Sequence, residues 1–174
     1  NNGNLIWQIP TQSSLALDAG FFLKTSDIVV EKNALFFSNN QNEFFSLDAQ
    51  TGNLNWKQEI NSNLRPVIIN DLIFTVTLEG YLVIVEKNSG NIVRSNYLLN
   101  QFKKKKRPDI EPTGFIIGNK NIYLSNNIGR LSVIDIATGV TRNILKIDNK
   151  KISRPAIFNK NLYIISNNSI IKLD

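Results

Sequence analysis

Leu47-Asp48-Ala49-Gln50-Thr51-Gly52-Asn53-Leu54-Asn55-Trp56 is an apolar–acid pair, a tight turn closed by Thr-Gly, and a strand with Trp four residues past the Gly. The chain says this again, with losses. Val85-Glu86-Lys87-Asn88-Ser89-Gly90 and Ile134-Asp135-Ile136-Ala137-Thr138-Gly139 are two further copies. Asn2-Gly3-Asn4-Leu5-Ile6-Trp7 has only the tail of the motif, and Leu173-Asp174 only its head. A unit that recurs in this way decides the fold before any single residue does.

The spacing is regular. Gly52 and Gly90 are 38 residues apart, and Gly90 and Gly139 are 49. The apolar pairs Leu35-Phe36, Ile73-Phe74, Ile122-Tyr123 and Leu162-Tyr163 step by 38, 49 and 40. Arg65-Pro66 and Arg154-Pro155 lie 89 apart, the sum of the last two steps. The period is therefore near 40, with an insertion of roughly ten residues in the third unit. Alternating apolar positions and many β-branched and aromatic residues exclude helical repeats of that length. Short strands at this period predict an all-β β-propeller of four-stranded antiparallel blades, about four of them in this chain.

The strands read in order. Asn1 to Pro10 is expected to be a strand from a split blade, and Gly20 to Leu23 to add a short one. The blades are expected at roughly 28–60, 65–98, 113–147 and 154–174, the last with three strands only. Each blade has apolar residues on both faces, as in Leu82-Val83-Ile84-Val85, so it must be covered on both sides by neighbours. Trp7 and Trp56 are expected to wedge between blades. Arg94 and Asn143 stand at the matching positions, so two of the four wedges read as lost.

Composition limits the chemistry. The 174 residues, 42% apolar, suit one domain with a core. There is no Cys and no His. Disulfides, thiolate sites and the commonest general base are therefore excluded, which weighs against a self-contained enzyme. No apolar run is long enough to form a membrane-spanning helix. With no initiator Met and a cut repeat at both ends, the sequence reads as a fragment of a longer protein whose targeting segment lies elsewhere. The net charge is +6, and part of it sits in the run from Lys103 to Arg107.

The motif Leu47-Asp48-x-x-Thr51-Gly52-x-x-x-Trp56 resembles the repeat of the pyrroloquinoline-quinone-type propellers. Within that group the chain resembles the BamB-like outer-membrane assembly lipoproteins. Leu78-Glu79-Gly80-Tyr81-Leu82 with Ser89-Gly90, Pro112 to Ile117, Asn127 to Leu131 and Ile152 to Pro155 carry the likeness, which covers nearly the whole chain. The resemblance implies the C-terminal half of an eight-bladed propeller, tethered by a lipid to the periplasmic face of the outer membrane. It implies a scaffold that binds the periplasmic domains of the central barrel-assembly protein, with no catalysis, quinone or other cofactor. The lipidated Cys and the front half are not in this sequence. The alternatives are a fragment of a quinone-dependent dehydrogenase, or a generic propeller binding peptides or sugars.

Two places are candidates for partner binding. Lys103-Lys104-Lys105-Lys106-Arg107, in the insertion, offers five cations to phosphate-bearing lipid headgroups or an acidic partner face, or is simply a solvated loop. It has no interleaved aromatics for base stacking, so nucleic acid is not expected. Leu64-Arg65 reads as an exposed pair before an inner strand, and it resembles the Leu-Arg pair with which the BamB-like family contacts its partner. The competing reading makes Arg65 and Arg154 equivalent positions on the channel rim. The recurring acids Asp48, Glu86, Asp135 and Asp174 are expected to fix turns rather than hold metal, because equivalent sites in different blades lie too far apart to share one ion. Finally, two copies are expected to join head to tail and rebuild eight blades, against the competing picture of a four-bladed ring closed within one chain.

Overall fold

A computed structural model describes residues 2–12 and 22–174. Among the described residues there are four antiparallel sheets, which follow one another in chain order. The first holds β1 (Val29–Glu31), β2 (Ala34–Asn39), β3 (Glu43–Asp48) and β4 (Leu54–Gln58). The second holds β5 (Val67–Ile69), β6 (Leu72–Val76), β7 (Tyr81–Glu86) and β8 (Ile92–Tyr97). The third holds β9 (Pro112–Gly118), β10 (Asn121–Asn126), β11 (Arg130–Asp135) and β12 (Thr141–Lys146). The fourth has three strands, β13 (Ala156–Phe158), β14 (Asn161–Ser166) and β15 (Ser169–Leu173). Each sheet is a meander in which every strand pairs with its sequence neighbour, which is a propeller blade.

Period-two alternation sends successive side chains to opposite faces, and both faces of a blade are used. On β7, Val83 and Val85 pack with Phe36, Phe44 and Trp56 of blade one. Leu82 and Ile84 pack with Phe115, Ile122 and Ile134 of blade three. A third cluster joins Leu131 of blade three to Leu162 and Ile164 of blade four. The core is therefore three apolar layers, one between each pair of neighbouring blades.

The repeated motif does the same work each time. The Asp48 carboxylate accepts the backbone N–H of Gln50 and Thr51 and the Thr51 hydroxyl, at 2.8 to 2.9 Å. Glu86 accepts from Asn88 and Ser89, and Asp135 from Thr138. The Gly then bonds back, with Gly52, Gly90 and Gly139 donating to the carbonyls of Asp48, Glu86 and Asp135. These bonds hold all three carboxyls below their ordinary range; for Asp48 and Asp135 the backbone N–H of the turn Thr is the largest cause, for Glu86 the Ser89 hydroxyl. The turn-fixing reading of these three acids therefore accounts for their geometry.

The outer strand of one blade locks onto this turn in the next. The Trp56 indole N–H donates to the Lys87 carbonyl at 2.9 Å, and that of Trp7 to the Ala49 carbonyl at 3.3 Å. A Cβ on Gly90 would lie 2.6 Å from Trp56, so only Gly leaves room for the ring, at a φ of +76° that also favours Gly. Arg94 corrects the expectation of a lost wedge. Its guanidinium donates to Ile136 O at 2.6 Å, the matching carbonyl of blade three, and to Ala137 O beside it. Arg can replace Trp here because both place a rigid planar donor at the end of an apolar stem. Asn143 reaches no other blade among the described residues; its side chain accepts the N–H of Ile144.

Other expectations also need correction. Residues 2–10 are in no sheet among the described residues, and Trp7 ties them to blade one through its bond to Ala49 O. Of the short strand expected at Gly20 to Leu23, Gly20 and Phe21 lie outside the described residues, and Phe22 and Leu23 are in no strand. The four sheets run from Val29 to Gln58, Val67 to Tyr97, Pro112 to Lys146 and Ala156 to Leu173.

Candidate functional site

Two kinds of loop share one face of the structure. These are the connections between blades and the hairpins that join the second and third strands of each blade. Blade one's connection to blade two is pinned by Ser62. Its hydroxyl donates to Val76 O at 2.8 Å and accepts the Leu64 N–H at 3.1 Å, turning Leu64 inward. Leu64 is consequently buried, within the apolar layer between blades two and three. The expectation of an exposed Leu-Arg pair is corrected for Leu64, while Arg65 is exposed.

Arg65 has counterparts. Asp27, Arg65, Gly114 and Arg154 each stand eight residues before the apolar pair that marks their blade. Arg154 is pulled below the ordinary guanidinium range, first by burial and then by the like charge of Arg65, with Asp27 opposing. Charges from blades one and two therefore act on this position of blade four. Gly114 lets this happen: a Cβ there would sit 2.4 Å from that of Arg154, whose Nε–H donates to Phe115 O at 3.0 Å. Arg65 and Arg154 are thus equivalent repeat positions, Arg65 exposed and Arg154 half-buried.

The insertion between blades two and three is a folded element rather than a loose loop. Leu98, Leu99 and Ile110 are buried at its two ends. Between them Lys104–Asp109 forms a 3-10 helix. Arg107 clips it shut, donating to Phe102 O at 2.9 Å and Asn100 O at 2.8 Å with its guanidinium over the Tyr97 ring. Of the five cations, Arg107 is thus tied down, while Lys103, Lys104, Lys105 and Lys106 are exposed.

The two candidate stretches meet. A cavity of about 890 Å³ opens on this face, and Leu64, Lys104 and Arg107 all line it. Arg65, Lys103, Lys105 and Lys106 do not. Sequence reasoning missed Lys24, Glu79, Tyr97, Glu111 and Lys151, which line it too. They come from separate loops and from the end of β8, and only aligning the repeats would have shown that these share a face. Among the described residues, no group of three or more His, Cys, Asp or Glu is placed to hold a metal.

A family model described as "Outer membrane protein assembly factor BamB" matches residues 1–96. The chain belongs to the BamB family. The curated BamB of Legionella pneumophila (strain Paris) is 22% identical over 140 residues, 79% of this chain and 31% of that protein. The crystal structure of BamB from Moraxella catarrhalis superposes with a TM-score of 0.68 at 14% identity, over 85% of this chain and 42% of that one. A quinohemoprotein alcohol dehydrogenase from Pseudomonas putida shares the fold at a TM-score of 0.56 and 16% identity, over 67% of this chain and 19% of that one. The chain thus spans less than half the length of the BamB relatives it matches, and its blades are BamB-like propeller blades.

Proposed function

We propose that this chain is a non-catalytic scaffold in outer-membrane protein assembly, and that its loop-bearing face binds the periplasmic domains of the barrel-assembly protein. The observation that supports this is the convergence of both candidate stretches on one cavity-bearing face in a member of the BamB family. In this reading Arg65 and the exposed lysines of the insertion meet the partner directly. Leu64 acts from below, seating the connection that carries Arg65. The longer protein works in the periplasm, held at the outer membrane by its lipid.

The test is a calorimetric titration of the chain with the soluble periplasmic domains of the barrel-assembly protein, at low and high salt. Arg65→Glu is the informative variant, since Leu64→Ala would damage the apolar layer instead. Saturable binding, weakened about tenfold by Arg65→Glu, is expected, because reversing a contact charge costs on the order of 1.4 kcal/mol or more. Absence of saturable binding at both salts would sink the reading.

A further inference from the structure

We infer that the cavity between the insertion and the connection from blade one takes an extended, acidic peptide segment. Its size falls within the roughly 300–1,000 Å³ of ordinary ligand sites. Its walls carry Lys24, Lys104, Arg107 and Lys151 against Glu79 and Glu111, a positive balance. Arg107 is spent on the insertion's own carbonyls. The ammonium groups of Lys24, Lys104 and Lys151 form no ion pair among the described residues. Three cations on a concave wall, none held in an ion pair and outnumbering the two acids there once Arg107 is counted, are complementary to carboxylates delivered from outside.

The apolar part of the lining selects between anions. Leu64, Leu78, Ile110 and Pro112 line the same space. A chain that alternates acidic and apolar residues matches both sets, since extended backbone sends successive side chains to opposite sides. A membrane surface fits worse. It is too flat to enter a concavity. The inference draws on the scaffold reading only in assigning the segment to a protein; the chemistry of the cavity stands apart from which protein that is.

The experiment is fluorescence anisotropy on the full chain with a labelled peptide of about twelve residues, Asp-Leu-Glu-Val repeated, and its Asn/Gln counterpart. Vesicles containing about one-third phosphatidylglycerol serve as the lipid probe. Two double variants make the same change in net charge: Lys104→Glu/Lys151→Glu in the cavity, and Lys120→Glu/Lys160→Glu in hairpins outside it. The expected result is that the acidic peptide binds and the neutral one does not. The cavity variant then weakens binding at least about tenfold, and the outside variant less than about threefold. Equal loss in both variants, or binding of vesicles without the peptide, overturns the inference. Peptide binding that persists when the barrel-assembly domains fail to bind supports this inference while refuting the partner. Binding of those domains unchanged by Lys104→Glu/Lys151→Glu, with no peptide binding, does the reverse.

Discussion

Gly90→Ala puts the logic of the repeat to a quantitative test. Two separate costs act at this position. The backbone sits at φ +76°, where a residue with a Cβ loses roughly 1–2 kcal/mol. The new methyl would also lie 2.6 and 2.8 Å from ring atoms of Trp56. That ring is itself held edge-on by Phe44 and hydrogen-bonded to Lys87 O, so it has little freedom to retreat. Forcing extra volume into such a site costs about 1–3 kcal/mol more. The expected loss is therefore about 2–5 kcal/mol, a large share of the roughly 5–15 kcal/mol that stabilises an ordinary domain.

The two costs separate in a double-mutant cycle with Trp56→Leu. Without the indole the steric part vanishes and the backbone part stays, so Gly90→Ala should cost only about 1–2 kcal/mol in that background. Gly3→Ala is the internal control: Gly3 has φ +71° but nothing within 4 Å of an added Cβ. Urea unfolding followed by circular dichroism reads all four free energies. Additivity of Gly90→Ala and Trp56→Leu within about 0.5 kcal/mol would refute the wedge-on-glycine account.

Other perturbations follow from the same geometry. Arg94→Ala should cost about 1–3 kcal/mol by urea unfolding, and Arg94→Lys should recover only part, because one ammonium cannot serve both carbonyls in plane. Asp48, Glu86 and Asp135 have folded-state pKa values below their ordinary 3.8, 4.5 and 3.8, so their contribution is complete at neutral pH. It is lost as the pH falls through the folded-state values; the thermal midpoint should drop below about pH 4, and less steeply in Asp48→Asn. Lys120→Gly should stabilise the chain by about 0.5–1 kcal/mol, since Asn119-Lys120 is a two-residue hairpin with both φ values positive and Gly suits its second position. Blade four exposes Ile165 at 56% and Ile170 at 75%, where blade two buries Val76 and Leu82 completely at the matching positions. The 174-residue chain should therefore self-associate through that face, and a monomer by sedimentation at nanomolar concentration would refute head-to-tail pairing.

The fold was legible because its cause is local and repeated. Asp48, Thr51, Gly52 and Trp56 each fill a role that the structure assigns to them singly, and the spacing of the Leu35-Phe36 type of pair gave the period from which about four propeller blades were read. Arg94 was misread because a donor to a carbonyl was sought as an aromatic ring. Leu64 was misread for a different reason. An apolar residue beside an Arg and a Pro looks like an exposed loop, and it is Ser62, bonded both to Val76 O on β6 and to the Leu64 N–H, that turns it inward. The insertion showed its charge but not its fold, since Arg107 bonds to carbonyls that carry no side-chain signature. The cavity was visible only in part for the same physical reason: its walls come from loops far apart in sequence.

Hydrogen exchange on the chain, free and mixed with the soluble periplasmic domains of the barrel-assembly protein, tests the scaffold claim most directly. The account predicts slowed exchange at residues 61–66, 77–80 and 98–111, on the face that carries the cavity. The acid-turn loops at 48–52, 86–90 and 135–139 should be unchanged. Protection confined to the acid-turn loops, or none anywhere at saturating partner, would contradict it.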